Sequence, residues 1–199
     1  MACWEGDFVA ARTLPEESLT IRRKLGDRWG IAESLNNLGD VANEQGDDSD
    51  ARRLHEESLA IQRELGDRIR IAISLHALGE LDCEQGNFGS ARALFEESLA
   101  ILRELGLGRG ISYALAGLAA VDAALGGTLR AARIWGVAER LREEIGFSLS
   151  SNERSHYDQR VATARAALKD DAAFDRAWQE GRALTREQAI ELALEKMTE

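Results

Sequence analysis

The residues able to carry chemistry are few. There are three histidines (His55, His76 and His156), two cysteines (Cys3 and Cys83) and adjacent carboxylates at Glu56-Glu57 and Glu96-Glu97. No two histidines stand three or four residues apart, the spacing that brings two imidazoles to one helix face, so no metal site is predicted. Cys3 and Cys83 cannot build a disulfide framework. The carboxylate pairs recur with the same neighbours and with arginine close by. That is the signature of a solvated, ion-paired helix face rather than of an acid and a base held at different pKa values. No nucleophile, base and orienting group can be assembled, and no GxxxxGK[ST] phosphate loop occurs. Gly126-Gly127 reads as a turn. The expectation is a protein that is not an enzyme and uses no cofactor or metal.

The elements that must hold the rest are helices. Of 199 residues, 44% are apolar and 30% charged, aromatic residues make up 6%, and Pro15 is the only proline. Such a chain favours helix over a β-sandwich. The formal net charge of −10 argues against phosphate backbones and anionic lipid as partners, so neither nucleic acid nor membrane binding is expected. No apolar run approaches the roughly 18 residues of a membrane helix, and MACWEGDF has neither the basic nor the apolar part of a signal peptide. With so little cysteine, a cytoplasmic protein is the simplest reading. The 22 Arg against 3 Lys suggest a GC-rich bacterial genome.

Internal repetition is the strongest feature. EESLT at Glu16, EESLA at Glu56 and EESLA at Glu96 are 40 residues apart. Around them run GDFVAARTLPEESLTIRRKLG, GDDSDARRLHEESLAIQRELG and GNFGSARALFEESLAILRELG, with a fourth block, GGTLRAARIWGVAERLREEIG, from Gly126. A fixed period of this size marks stacked repeats. Each period reads as two helices. Ile31, Leu35, Leu38 and Ala42 form one apolar stripe, and Ala51, Leu54, Leu59, Ile61 and Leu65 form the next. Gly26, Gly46, Gly66, Gly106 and Gly146 are stops. Small residues at Gly39 and Gly79, and at Ala11, Ala51, Ala91 and Ala131, mark where helix axes come close.

The pattern Leu35-x-x-Leu38-Gly39, then Gly46, Ala51, His55/Phe95/Trp135 and Ser58-Leu59, resembles the tetratricopeptide repeat. The usual unit is about 34 residues with a proline near its end; here that proline is absent and the period is longer. The long form resembles the repeat regions of bacterial signalling regulators that carry a P-loop ATPase, some with a LuxR-type DNA-binding domain. The tail, AARIWGVAERLREEIG followed by Tyr157 and AALKDDAAFDRAWQEGRALTREQAIELAL, is similar to the end of such regions. The resemblance implies an all-α, tetratricopeptide-like α-solenoid of antiparallel helix pairs with a C-terminal helical cap.

The predicted organisation is a half unit at 1–26, complete units at 27–66, 67–106 and 107–146, and capping helices at 147–199. Met1–Glu5 aligns with Val41–Gln45, so the chain is expected to begin inside a repeat. Pro15, at the position of His55, Phe95 and Trp135, is expected to kink the first helix or to start it. Ser150-x-x-Glu153 and Thr185-x-x-Gln188 read as capping boxes. They open helices to about Lys169 and Met197, with a helix over about Asp171–Glu180 between them, ended by Gly181. LTREQAIELAL leaves no room for a recognition helix, so this chain is not expected to bind DNA.

In tetratricopeptide proteins the first helix of each pair lines an inner groove. Carried over, this gives Glu33, Asn36, Asn37, Asp40 and Asn43 in the first full unit; Ile73, His76, Ala77, Glu80 and Cys83 in the second; and Tyr113, Ala116, Gly117, Ala120 and Ala123 in the third. The partner-binding candidates are Glu33, Asn36, Asn37, Asp40, Asn43, His76, Glu80 and Cys83. The resemblance gives Asn37, just before Leu-Gly, the role of holding a ligand backbone, since its amide both donates and accepts. Glu33, Asp40 and Glu80 share one sign and suit a protein or peptide with arginine or lysine. The apolar third unit is covered by the tail or by a partner. Three further readings stay open: a solvated inner face without a ligand, self-association as a homodimer through the N-terminal repeat edge, and an enzyme whose site leaves no mark in the sequence.

Overall fold

The computed structural model describes residues 4–195, with side chains from Arg12 onward; Cys3, Met197, the side chain of Ala11 and the first three residues of Met1–Glu5 lie outside. Ten helices and no strand are present among the described residues. The chain divides into two compact units, Met1–Leu81 and Asp82–Glu199.

The first unit holds α1 (Trp4–Leu25), α2 (Arg28–Glu44), α3 (Asp48–Leu65) and most of α4 (Arg68–Glu84). Its helix ends follow from two residues. Gly66 closes α3 at φ 68°, a left-handed conformation that a Cβ would strain, and such a glycine recurs every twenty residues from Gly26 to Gly146. The aspartate after the glycine then caps the next helix: Asp27 accepts from the Gly30 amide, Asp47 from Asp50 and Asp67 from Arg70. Leu35, Ala42 and Ala51 are fully buried, with Leu38, Leu54 and Leu59 beside them.

Pro15 decides between two expectations. It does not start α1, because the helix runs through it from Trp4 to Leu25. Arginines tie α1 to its neighbours: Arg22 donates to the Gly30 carbonyl at 2.7 Å, Arg12 pairs with Asp50 at 2.5 Å, and Arg23 pairs with Glu57 at 2.9 Å.

The second unit continues with α5 (Phe88–Glu104), α6 (Gly108–Ala124) and α7 (Thr128–Glu144), then α8 (Ser151–Leu168), α9 (Asp171–Ala183) and α10 (Arg186–Leu194). Both capping boxes form, at Ser150 and at Thr185. Helix α10 ends at Leu194, before the expected Met197. Helix α9 extends past Gly181, because that glycine answers a packing demand and is no stop. A Cβ on Gly181 would overlap the Arg133 carbonyl of α7, and one on Gly136 of α7 would overlap the Trp178 carbonyl of α9. The two backbones therefore cross in near contact, over the fully buried Phe174.

Helix α10 buries Ala189, Ile190 and Ala193. Its free C-terminal carbonyls are taken by arginines. Arg130 donates to Leu192 O at 2.7 Å and Arg92 to Ala193 O at 3.2 Å. Both guanidiniums also pair with the fully buried Asp122.

The glycine crossing yields a test. Gly136→Ala and Gly181→Ala should each lower stability by about 1–3 kcal/mol, since backbone cannot yield as a side chain can. Gly89→Ala on α5, where a Cβ meets nothing within 4 Å, should leave stability unchanged or raise it by a few tenths. Thermal denaturation of the three variants checks this; equal effects would contradict the crossing.

Candidate functional site

All eight predicted partner-binding residues lie on α2 and α4, and five of them fall in two stripes. Trp29, Glu33, Asn37, Asp40 and Glu44 follow helical spacing on α2, and Ile69, Ile73, His76 and Glu80 follow it on α4. Asn37 is exposed and makes no side-chain hydrogen bond among the described residues, and 60% of the Asp40 side chain is open to solvent. Asn43 is half-buried near the end of α2. His76 and Glu80 are half-buried neighbours, with Nε2 3.9 Å from the carboxylate. Cys83 belongs to the second unit, on the last turn of α4, and is half-buried.

Two candidates sit differently from expectation. Glu33 is bracketed by Arg22 at 3.0 Å and Arg70 at 3.1 Å, which neutralise the charge a basic partner would have used. Asn36 is buried at 7% exposure and faces the packing between helices. Its Oδ1 lies 3.0 Å from His55 Nδ1 and 3.1 Å from the Ser74 hydroxyl.

Asn36 belongs to a buried polar chain joining three helices. The Ser58 hydroxyl of α3 donates to the Ala32 carbonyl of α2 at 2.7 Å, and the Gln62 amide donates to Ser58 at 2.8 Å. The single hydroxyl proton of Ser74 on α4 is shared between Gln62 Oε1 at 2.9 Å and Asn36 Oδ1 at 3.1 Å, and His55 completes the path. Every member has a partner, as a low-dielectric interior requires.

His55 stands where Phe95 and Trp135 stand in later repeats, and its ring lies against Gly39, where a Cβ would come within 2.7 Å. Its Nε2 points to Asp40 at 3.7 Å, an electrostatic contact rather than a hydrogen bond. The network therefore begins under the exposed stripe and ends in the core. The sequence aligned His55 with Phe95 and Trp135 and gave no link from it to Asn36, Ser58, Gln62 and Ser74. The available signal was a set of polar residues at apolar-stripe positions.

Burial drives the His55 pKa down from 6.5 to about 4, so the ring is neutral at pH 7. Asp40 moves the other way, pushed up to about 6 by desolvation and then by Glu44 one turn on. Water still reaches most of that side chain and screens the shift.

In the second unit the matching stripe of α6 is occupied by the chain itself. Phe147 lies against Tyr113 (ring centres 5.8 Å apart) and under the Arg109 guanidinium at 4.2 Å, and the Tyr113 hydroxyl donates to Glu153 at 2.6 Å. Burial and that carboxylate push the Tyr113 pKa up to about 12. Among the described residues no group of three His, Cys, Asp or Glu side chains could hold a metal ion.

A histidine whose folded pKa lies below its unfolded value stabilises the fold above pH 6.5 and loses that contribution as pH falls toward 4. Asp40, with a raised pKa, opposes this between about 6 and 3.8, but weakly because it is solvated. The stability of the wild type should therefore fall relative to His55→Phe between pH 7 and 4.5, on the order of 1–3 kcal/mol. Parallel pH profiles of the two melting curves would contradict a buried neutral imidazole.

Comparison with known proteins agrees with this architecture. The family described as tetratricopeptide repeat matches residues 1–64 and 31–104, together just over half of the chain. Among solved structures, the chain is similar to a protein of Podosopora anserina described as a kinesin light chain with nearly identical TPR-like repeats. The identity is 20% and the TM-score 0.62, over 90% of this chain and 87% of that one, a likeness of fold. No curated protein matches. The chain belongs to the tetratricopeptide-repeat family, whose repeats mediate protein–protein interaction.

Proposed function

We propose that the α2/α4 face of the first unit is a docking groove for a protein or peptide segment that carries arginine or lysine. The observation that supports this best is the pairing of exposed and anchored groups. Asn37 offers an unused amide, and Asp40 an exposed carboxylate, on a helix whose underside is fixed by the Asn36–His55–Ser74–Gln62–Ser58 network. Groups held in place before binding lose little freedom when a partner arrives. With Glu33 already neutralised, the exposed carboxylates of Asp40 and Glu44 give the face its sign. Tetratricopeptide-repeat proteins are typically non-enzymatic scaffolds.

We further infer, from the resemblance of the tail beginning AARIWGVAERLREEIG, that the module serves a bacterial signalling or transcriptional regulator. A P-loop ATPase encoded in the same reading frame is the expected finding, and a frame without one contradicts that inference.

The docking reading is tested by titrating the 15N-labelled chain with an arginine-containing decapeptide and its glutamate-substituted counterpart. The amides of Asn37, Asp40 and Glu80 should shift with the first only. Asn37→Ala and Asp40→Ala should each weaken binding about five- to tenfold without lowering the melting temperature. Equal responses to both peptides, or shifts scattered over the surface, would remove the proposal. A concentration-dependent dimer that protects the same amides would assign the face to self-association instead.

A further inference from the structure

The two stripes of the first unit are not uniform along their length. At the start of α2 and α4 they expose apolar side chains: Trp29 at 48%, Ile69 at 47% and Ile73 at 44%. Trp29 and Ile69 are the same position one 40-residue period apart. One face of the Trp29 ring is taken by Arg70 at 5.1 Å, and its Nε1–H donates to Asp67, so the indole is held in place while half of it meets water. At the far end the equivalent pair is Asp40 and Glu80, with Glu44 beyond. The apolar and acidic ends are eleven residues apart on each helix (29 to 40 and 69 to 80). At 1.5 Å per residue that is about 16 Å, which an extended chain covers in about five residues.

What the equivalent end of a later helix accepts is visible elsewhere in the same molecule. One more period along, the positions of Ile69 and Ile73 become Arg109 and Tyr113. There the protein seats its own aromatic residue: Phe147 packs on both, and the chain that follows brings Glu153 to Tyr113. The corresponding places on α2 and α4 hold no such occupant among the described residues. Charge differs in a matching sense. On α6 the position of Asp40 and Glu80 is Ala120, and the tail that covers α6 needs no basic group there.

We infer that the α2/α4 face takes a two-part segment of a partner protein, an aromatic residue seated against Ile69, Ile73 and Trp29, and an arginine or lysine four to six residues away at Asp40 and Glu80. This rests on the docking reading of the same face and adds to it an apolar anchor, a spacing and an internal precedent. An aromatic anchor in an apolar seat dominates recognition, and the exposed Asp40 carboxylate with the half-buried Glu80 beside it adds steering and direction.

Selection of random phage-displayed dodecapeptides on the full chain tests it. The selected peptides should share one aromatic residue and one or more basic residues at that spacing. Replacing the aromatic residue in a synthetic copy should weaken binding at least tenfold. The variants should separate the two ends. Ile73→Ser should remove the aromatic preference and leave the basic one, while Asp40→Lys with Glu80→Lys should do the reverse. Trp29→Ala is read together with its melting curve, since it also releases Arg70. Peptides that need Asp40 and Glu80 but no aromatic residue would overturn the two-part segment and leave the docking face standing. A consensus of acidic residues would overturn it as well. A selection that yields no peptide sensitive to any of these variants would remove both readings.

Discussion

Close approach of paired helices is the constraint on which the rest of the molecule depends. Where α2 meets α3, Gly39 leaves room for the His55 ring; where α5 meets α6, Gly117 leaves room for Phe95; and where α7 meets α9, Gly136 and Gly181 let backbone meet backbone. Each contact sets a missing side chain against a large group or a backbone, and the large groups His55 and Phe95 stand one 40-residue period apart. Interiors packed to crystal density do not absorb an extra carbon at such points without movement. Positions elsewhere on these helices are free to vary, and variation is what gives the two units different faces.

The two units fill equivalent space with different chemistry. In the second unit Phe95 and Trp135 pack apolar surface, and Trp135 spends its one polar atom on the Ala116 carbonyl at 3.3 Å. In the first unit His55 takes that place and imports hydrogen bonding, which Asn36, Ser58, Gln62 and Ser74 satisfy. A satisfied polar core is more specific than an apolar one, because each partner accepts few arrangements. It fixes α2 and α4 by the undersides of the same turns whose upper sides carry Asn37, Asp40 and Ile73. In the second unit the exposed surface is instead used up internally, by Phe147 on α6 and by the arginines that hold the end of α10.

The helix-pair architecture was readable from the sequence because three independent signals coincide every period: an apolar stripe, a small residue at the crossing and a glycine stop. The capping boxes at Ser150 and Thr185 were equally plain, since side-chain caps are local. Pro15 left two readings open because proline fits a first turn as well as the interior of a bent helix, and α1 continues through it. Gly181 misled because glycine as a stop and glycine as a packing gap look alike in sequence. Within the candidate site, Asn37 and Asp40 are exposed as expected, while Glu33 and Asn36 were misplaced by what faces them from other helices. Arg22, Arg70, His55 and Ser74 reach them from across the packing, and long-range partners of that kind leave no trace in local spacing. Trp29 and Ile69 escaped notice although the same period links them.

A face that recognises by position must be held before its partner arrives, so the account turns on whether α2, α3 and α4 open together. Native-state hydrogen exchange of the free chain measures this directly. The amides of α2 and α4 that flank Asn36 and Ser74 should exchange through the same high-energy opening as those of α3 around Ser58 and Gln62. Fast exchange of α2 through a separate, low-energy opening while α3 stays protected would show that the network does not fix the face, and would contradict the account.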